Sequence, residues 1–491
     1  MPRERDYIFK RGSLIKSTKK DLMILGLGKL LQVAIMFVSI RILTEVLSEQ
    51  EVGNYYLLLA LLTLFNFSFL NPVGQYYGRH LIQWEYSKNL LNATNVLLLL
   101  RVSAIALSLF IAFSVYEIFE HDKYYSLSEF LLFVFISLVA GTHGVLLNAV
   151  NTLGDRIKFT IYVVATLLVG LLLSIFIVYY IDESGIGWLY GLAISQLMFS
   201  VSLYKYVVKD SQFSIEKVKS VFQKEYIKKI AIFIIPVTIT LFLQWGQNQS
   251  YRFIIEAKYS LEVLAFIGVG LAVSGAIFNA IESLSTQLYS PIYLKKITHA
   301  TKENRTKAWN ELVNYMVPIY LLLAVYVIAL SSYLTNLLVA QKFYEAYTYV
   351  MFGAMVEFFR VVTNLVYMVS QSEVNTTTTI LPYSIGFIFT MVSLYFFDMS
   401  EKLWMIPLFL AIANGIIVLI LFKNMNKLLD IRINLLNLLK SFILALPLFL
   451  VLFISHDKTI LQTILTVGVS GIYFLFLVYI IVEKRILGIV K

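Results

Sequence analysis

The sequence predicts an all-α polytopic membrane protein of about fourteen transmembrane helices. They form two six-helix lobes with a pseudo-two-fold relation, plus a C-terminal helix pair. Three observations predict this. Of 491 residues, 59% are hydrophobic and only 14% are charged, where a soluble domain carries about 25% charged residues. The apolar residues fall into fourteen continuous runs, most long enough to cross a hydrocarbon core of about 30 Å as helices. A short charged motif recurs six runs apart.

The runs lie at 21–44, 52–78, 90–116, 129–153, 160–181, 188–208, 230–255, 263–294, 308–331, 346–370, 377–397, 404–422, 441–455 and 460–482. None alternates with the period of two that a barrel strand requires. The thirteenth is the shortest. Residues 1–20 are polar and basic, and the first run is full length with no small-residue cleavage site, so it reads as a retained helix.

Charge gives the orientation. With the span-end residues Lys205 and Arg252 counted in the loops they adjoin, thirty Lys and Arg lie on the side of the N-terminus and six on the other, and Lys29, Arg41, Arg101 and Arg360 lie deeper inside runs. By the positive-inside rule both termini are cytoplasmic. The net charge of +10 is then a topogenic signal and an attraction to anionic membrane lipids, not a sign of nucleic acid. There is no cysteine, and five histidines leave little for a metal site. No phosphate-cradling glycine loop is present, which argues against ATP hydrolysis. The opposite-side loops are short, so function must lie between the helices.

The chain divides at its longest cytoplasmic connection. Residues 21–208 form an N-lobe and 230–422 a C-lobe. A linker at 209–229 contains SQFSIEKVKSVFQKEYIKK, which carries apolar residues at helical spacing between lysines and reads as an interfacial amphipathic helix. A cytoplasmic loop at 423–440 precedes the last two runs. At an offset of 211, Arg41, Glu45, Glu51 and Val52 match Arg252, Glu256, Glu262 and Val263. Six spans is an even number, so the lobes share orientation and are related by an axis along the membrane normal.

The stretch GLGKLLQVAIMFVSIRILTEVLSEQEVGNYYLLLALLTL (26–64) resembles the opening of Wzx-type polysaccharide exporters, the O-antigen flippases. There a first helix ends in an arginine and a short acidic loop, and helix two starts on E-x-G-x-Y/F, here Glu51, Gly53 and Tyr55. That family shares the MOP superfamily with MATE transporters and MurJ. The resemblance implies a non-enzymatic flippase in a bacterial inner membrane. Its substrate would be an oligosaccharide on undecaprenyl pyrophosphate, and its partners a polysaccharide polymerase and a chain-length regulator.

A charge at bilayer centre costs about 2.5–3.5 kcal/mol or more, so intramembrane charges are candidate site residues. Lys29, Arg101 and Arg360, with Arg41 and Arg252 nearer the outer face, offer cations to a pyrophosphate. Arg41, Arg252 and Arg360 have acids at helical pairing distance; Lys29 and Arg101 have none. Gln244, Gln247 and Asn248, beside Trp245, make an amide patch for sugar hydroxyls. Asn66, Asn71, Gln75, Asn148 and Asn151 read the same way more weakly. Glu282, flanked by Asn279 and Gln287, and Glu357 could couple transport to H⁺ or Na⁺; no other cofactor is expected. His143 reads as a packed core histidine. Pro72 and Pro236 are expected hinges, with Pro291 and Pro318 as further breaks. The other readings are a MATE-like drug/cation antiporter, which needs an acid-dominated cavity, and a membrane-embedded polymerase or acyltransferase, which needs catalytic residues on a sizeable loop.

Overall fold

The computed structural model describes residues 19–118, 125–209, 212–215, 224–298, 300–373, 377–453 and 459–489. The basic tail before residue 19 and most of the amphipathic linker lie outside the described residues, as does the chain beyond 489. Fourteen helical segments are long and apolar enough to span a membrane. The protein is a multi-pass membrane protein.

Each expected run is matched by one of these spans, numbered here in chain order. Spans 1–6 are Met23–Val46, Glu49–Tyr86, Leu90–Glu117, Leu127–Thr152, Arg156–Tyr180 and Gly185–Val208. Spans 7–12 are Ile230–Lys258, Leu261–Thr286, Lys302–Ala329, Gln341–Ser372, Thr377–Phe396 and Met405–Asn426. Spans 13 and 14 are Leu435–Phe453 and Ile460–Glu483. The ends bearing most lysines and arginines define the basic face.

Span 13 corrects the sequence reading. It begins at Leu435, not 441, capped by the Asn434 side chain on the Asn437 N–H. Lys440 breaks the apolar run but not the helix, and its side chain is exposed. From Leu446 the backbone tightens into a 3₁₀ segment through Phe453. The loop between spans 9 and 10 also holds a short helix, Ser331–Leu338.

The lobes repeat one pairing scheme. Span 1 packs on span 5 and span 5 on span 6; span 7 packs on span 11 and span 11 on span 12. The lobes meet mainly along spans 2 and 8, with spans 1 and 7 each packing against the opposite lobe. Spans 13 and 14 break the symmetry by covering span 9. Span 9 is therefore 78% buried, while span 3, at the same place in the N-lobe, is 33% buried. Two asparagines fasten this appendage. Asn310 accepts from the Arg432 N–H at 2.7 Å and donates to the Asp430 carbonyl at 3.1 Å. Asn314, one turn on, accepts from the Asn434 N–H at 2.8 Å and donates to the Arg432 carbonyl at 3.4 Å.

Spans 2 and 4 are broken at mid-length. Pro72 has no N–H to donate to a preceding carbonyl, and the residues just before it, Asn66–Leu70, form a π turn. Span 4 divides at Gly141 into Leu127–Ala140 and Thr142–Thr152. Pro236 and Pro318 are carried inside continuous helices.

Candidate functional site

The N-lobe core is two apolar clusters with a polar layer between them. One cluster, around Leu58, Phe65, Phe130 and Phe133, lies toward the face opposite the basic one. The other, around Tyr77, Leu81, Leu97 and Val150, lies toward the basic face. Between them, where spans 2 and 4 are broken, sit Asn66, Arg101 and Thr142.

Arg101 is 2% exposed. Its Nε donates to Thr142 Oγ1 at 3.1 Å, while one terminal guanidinium nitrogen is buried without a hydrogen-bond partner. No carboxylate pairs with it among the described residues. Gly141 makes room for it: a Cβ there would lie 3.2 Å from Asn66 Oδ1 and 3.5 Å from the guanidinium. The polar layer continues through His143, whose Nε2 is 3.0 Å from Thr166 Oγ1, and Ser195, which donates to the Thr166 carbonyl at 2.7 Å. His143 is 6% exposed, a packed residue within this layer.

The C-lobe holds a second polar cluster, on spans 8, 9 and 10. Arg360 Nε meets Glu357 at 2.7 Å, and its terminal nitrogen meets Glu282 at 2.9 Å. Asn279 accepts from Arg360 at 2.9 Å, and Asn364 donates to Glu282 at 2.8 Å. Tyr320 of span 9 lies close enough to feel both Glu282 and Arg360. Glu282, read from the sequence apart from the Glu357–Arg360 pair, thus joins it in one ion triad with two carboxylates to one guanidinium. The Gln287 and Pro291 side chains lie outside the described residues.

The remaining cations take other places. Lys29 is half-buried and donates to Gln32 in its own helix at 2.9 Å; no described contact joins it to Arg101 or Arg360. Arg41 donates to the carbonyls of Asn336 (3.2 Å) and Val339 in the C-lobe, with Glu45 3.8 Å away. Arg252 donates to the Tyr56 carbonyl of the N-lobe at 2.9 Å and lies over the Tyr56 ring at 5.4 Å.

These arginines belong to a cross-lobe seam. Trp245 Nε1 donates to the Ala60 carbonyl at 2.9 Å, the Ala340 N–H to Thr44 at 2.9 Å, and Lys342 to the Leu47 carbonyl at 2.5 Å. These lobe-to-lobe hydrogen bonds lie from about mid-depth toward the face opposite the basic one. Gly53 allows this approach, because a Cβ there would fall on the Leu261 carbonyl oxygen. The amide patch of span 7 is split. Asn248 donates to the Gln244 carbonyl at 3.0 Å. Gln247 is 1% exposed with both amide atoms unpartnered.

Sequence reasoning missed Gly141, Thr142 and Asn364. A Gly-Thr pair inside an apolar run was the available signal for the first two.

No protein-family model matches the chain, and no curated protein matches it. Among solved structures it is similar to a lipid II flippase, MurJ, in an inward closed conformation. The TM-score is 0.68 at 13% identity, over 94% of this chain and 99% of that one. It is also similar to an inward-facing multidrug resistance MATE family transporter of the MOP superfamily (TM-score 0.58, 10% identity, 82% and 94% covered). A MATE transporter in the straight conformation gives 0.54 at 12% identity, with 83% and 94% covered. The likeness is one of fold: the chain shares the all-α, multi-span architecture of these structures.

Proposed function

We propose that the protein is a flippase for an oligosaccharide carried on undecaprenyl pyrophosphate, working by alternating access of its two lobes. In this reading the basic face is cytoplasmic, the membrane is a bacterial inner membrane, and the cargo serves surface polysaccharide assembly. A polymerase and a chain-length regulator would act on the delivered product.

The observation that carries the reading is Arg101. A cation held between two apolar clusters, with no acid among the described residues and an unmatched donor, is costly to maintain. A pyrophosphate would repay that cost with charge-assisted hydrogen bonds. The cross-lobe seam supports the alternating-access part. It closes the face opposite the basic one, so release there requires those bonds to break while the lobes part along spans 2 and 8. The similarity in fold to a lipid II flippase is consistent with a lipid-linked cargo.

The C-lobe triad favours ion coupling by Glu282 and Glu357, and it also suits the second reading, a MATE-like cation antiporter. Proteoliposomes separate the two. The flippase reading expects undecaprenyl pyrophosphate-linked oligosaccharide to become accessible to an impermeant glycosidase on the far leaflet, with no proton- or sodium-driven efflux of an organic cation such as ethidium. Ethidium efflux without lipid translocation would replace the first reading by the second.

A further inference from the structure

Span 2 is far longer than the bilayer requires. Its 38 residues run about 57 Å as a helix, against a hydrocarbon core of about 30 Å. With its first turn at the face opposite the basic one, its last turns reach the headgroup level of the basic face or beyond. Tyr76, His80 and Trp84 recur there every four residues, on one side of the helix. Their rings are contiguous: 4.4 Å between the Tyr76 and His80 centroids, and 5.6 Å between His80 and Trp84. All three residues are half-buried, so the stack is supported from behind and still presents surface.

The stack lies on the seam between the lobes. Phe233 of span 7 stands edge-on to Tyr76 at 5.7 Å, and the exposed Arg79 lies 5.6 Å over the Phe233 ring. The lobe-to-lobe hydrogen bonds described above (Trp245–Ala60, Arg252–Tyr56, Ala340–Thr44, Lys342–Leu47) lie on the opposite half. A largely apolar cleft between spans 2, 3 and 7 has Tyr76 and Trp84, but not His80, on its wall, with Asn89 and Asn92 as its amides. Asn92, also at the cleft, is committed to structure: it donates to Asn89 and to the Gln212 carbonyl and accepts from the Ser214 N–H.

We infer that the Tyr76–His80–Trp84 stack is a sugar-binding platform that receives the glycan of the lipid-linked substrate at the cytoplasmic mouth. The inference rests on the flippase reading and extends it from the pyrophosphate to the sugars. The chemistry fits. Aromatic faces stack on the apolar C–H face of a sugar ring, and ring tips and neighbouring polar groups serve its hydroxyls. The depth fits as well, since a glycan attached to a prenyl lipid projects from the leaflet at the level of these rings. An acyl or prenyl chain would instead lie within the hydrocarbon core.

The test compares two lipids in proteoliposomes of wild type, Trp84→Ala and Trp84→Phe. One is undecaprenyl pyrophosphate bearing the oligosaccharide, read by an impermeant glycosidase; the other is bare undecaprenyl pyrophosphate, read by an impermeant phosphatase. The platform predicts an initial rate about tenfold lower for the glycan-bearing lipid in Trp84→Ala, an unchanged rate for the bare lipid, and recovery in Trp84→Phe. Equal loss for both lipids would make the stack a packing or interfacial feature and overturn the inference. An unchanged rate for the glycan-bearing lipid in Trp84→Ala would overturn it too. A wild type that moves neither lipid would overturn the flippase reading itself.

Discussion

Arg41 and Arg252 stand 211 positions apart, at matching places in the two lobes, and each donates to a backbone carbonyl of the lobe it does not belong to. Each lobe thus reaches across the seam with one arginine. The acids of the motif do not share this symmetry. Glu51 accepts from the Gly185 N–H at 2.8 Å within its own lobe, while Glu262 is exposed.

Removing either arginine shifts the lobes toward opening on that side. A hydrogen bond to a charged group contributes about 1.5–3 kcal/mol. Arg252, 9% exposed, falls in that range, so Arg252→Ala changes the open-to-closed ratio by roughly ten- to a hundredfold. Arg41, whose side chain is 38% exposed, contributes less because solvent screens it. The chain has no cysteine, so spin labels at Ser48→Cys and Gln341→Cys report the separation without background. The long-distance population rises in Arg252→Ala and rises less in Arg41→Ala.

Gly53→Ala should act at the same place by a different route. The added methyl meets the Leu261 carbonyl, a backbone atom that cannot swing aside. Forcing extra volume into a tight contact costs about 1–3 kcal/mol. The same label pair then shows a larger separation, with the protein still inserted and helical by circular dichroism. An unchanged distance would show that the close approach of spans 2 and 8 is not needed for closure.

Much of this fold is legible in the sequence because span formation is a local matter of run length. Arg360 with Glu357 is legible too, since three residues is one helical turn. That Glu282 completes the triad is not, because it arrives from span 8 through packing. The partners of Arg41 and Arg252 are equally hidden, since backbone carbonyls leave no mark on residue type. The start of span 13 is misread because Lys440 interrupts its hydropathy, although a long lysine at a helix end can extend its ammonium toward water. The burial of span 9 follows from where the last two spans pack, which hydropathy does not encode.

The triad should respond asymmetrically to neutralisation. Glu357→Gln leaves Arg360 paired with Glu282, so thermal stability in detergent changes little. Arg360→Ala leaves two largely buried carboxylates facing each other and costs about 3–5 kcal/mol, seen as a clear drop in melting temperature. If Glu282 and Glu357 couple transport, Glu282→Gln and Glu357→Gln each reduce the dependence of lipid translocation on an imposed proton or sodium gradient. Full gradient dependence in both variants would remove them from coupling.

The buried, acid-free cation of the N-lobe is the centre of the proposed mechanism. Translocation of undecaprenyl pyrophosphate-linked oligosaccharide by Arg101→Ala in proteoliposomes, with matched insertion and melting behaviour, tests it most directly. Loss of at least about a hundredfold in rate is expected, the equivalent of about 2.7 kcal/mol, with partial recovery in Arg101→Lys. A wild-type rate in Arg101→Ala would contradict the role assigned to this residue.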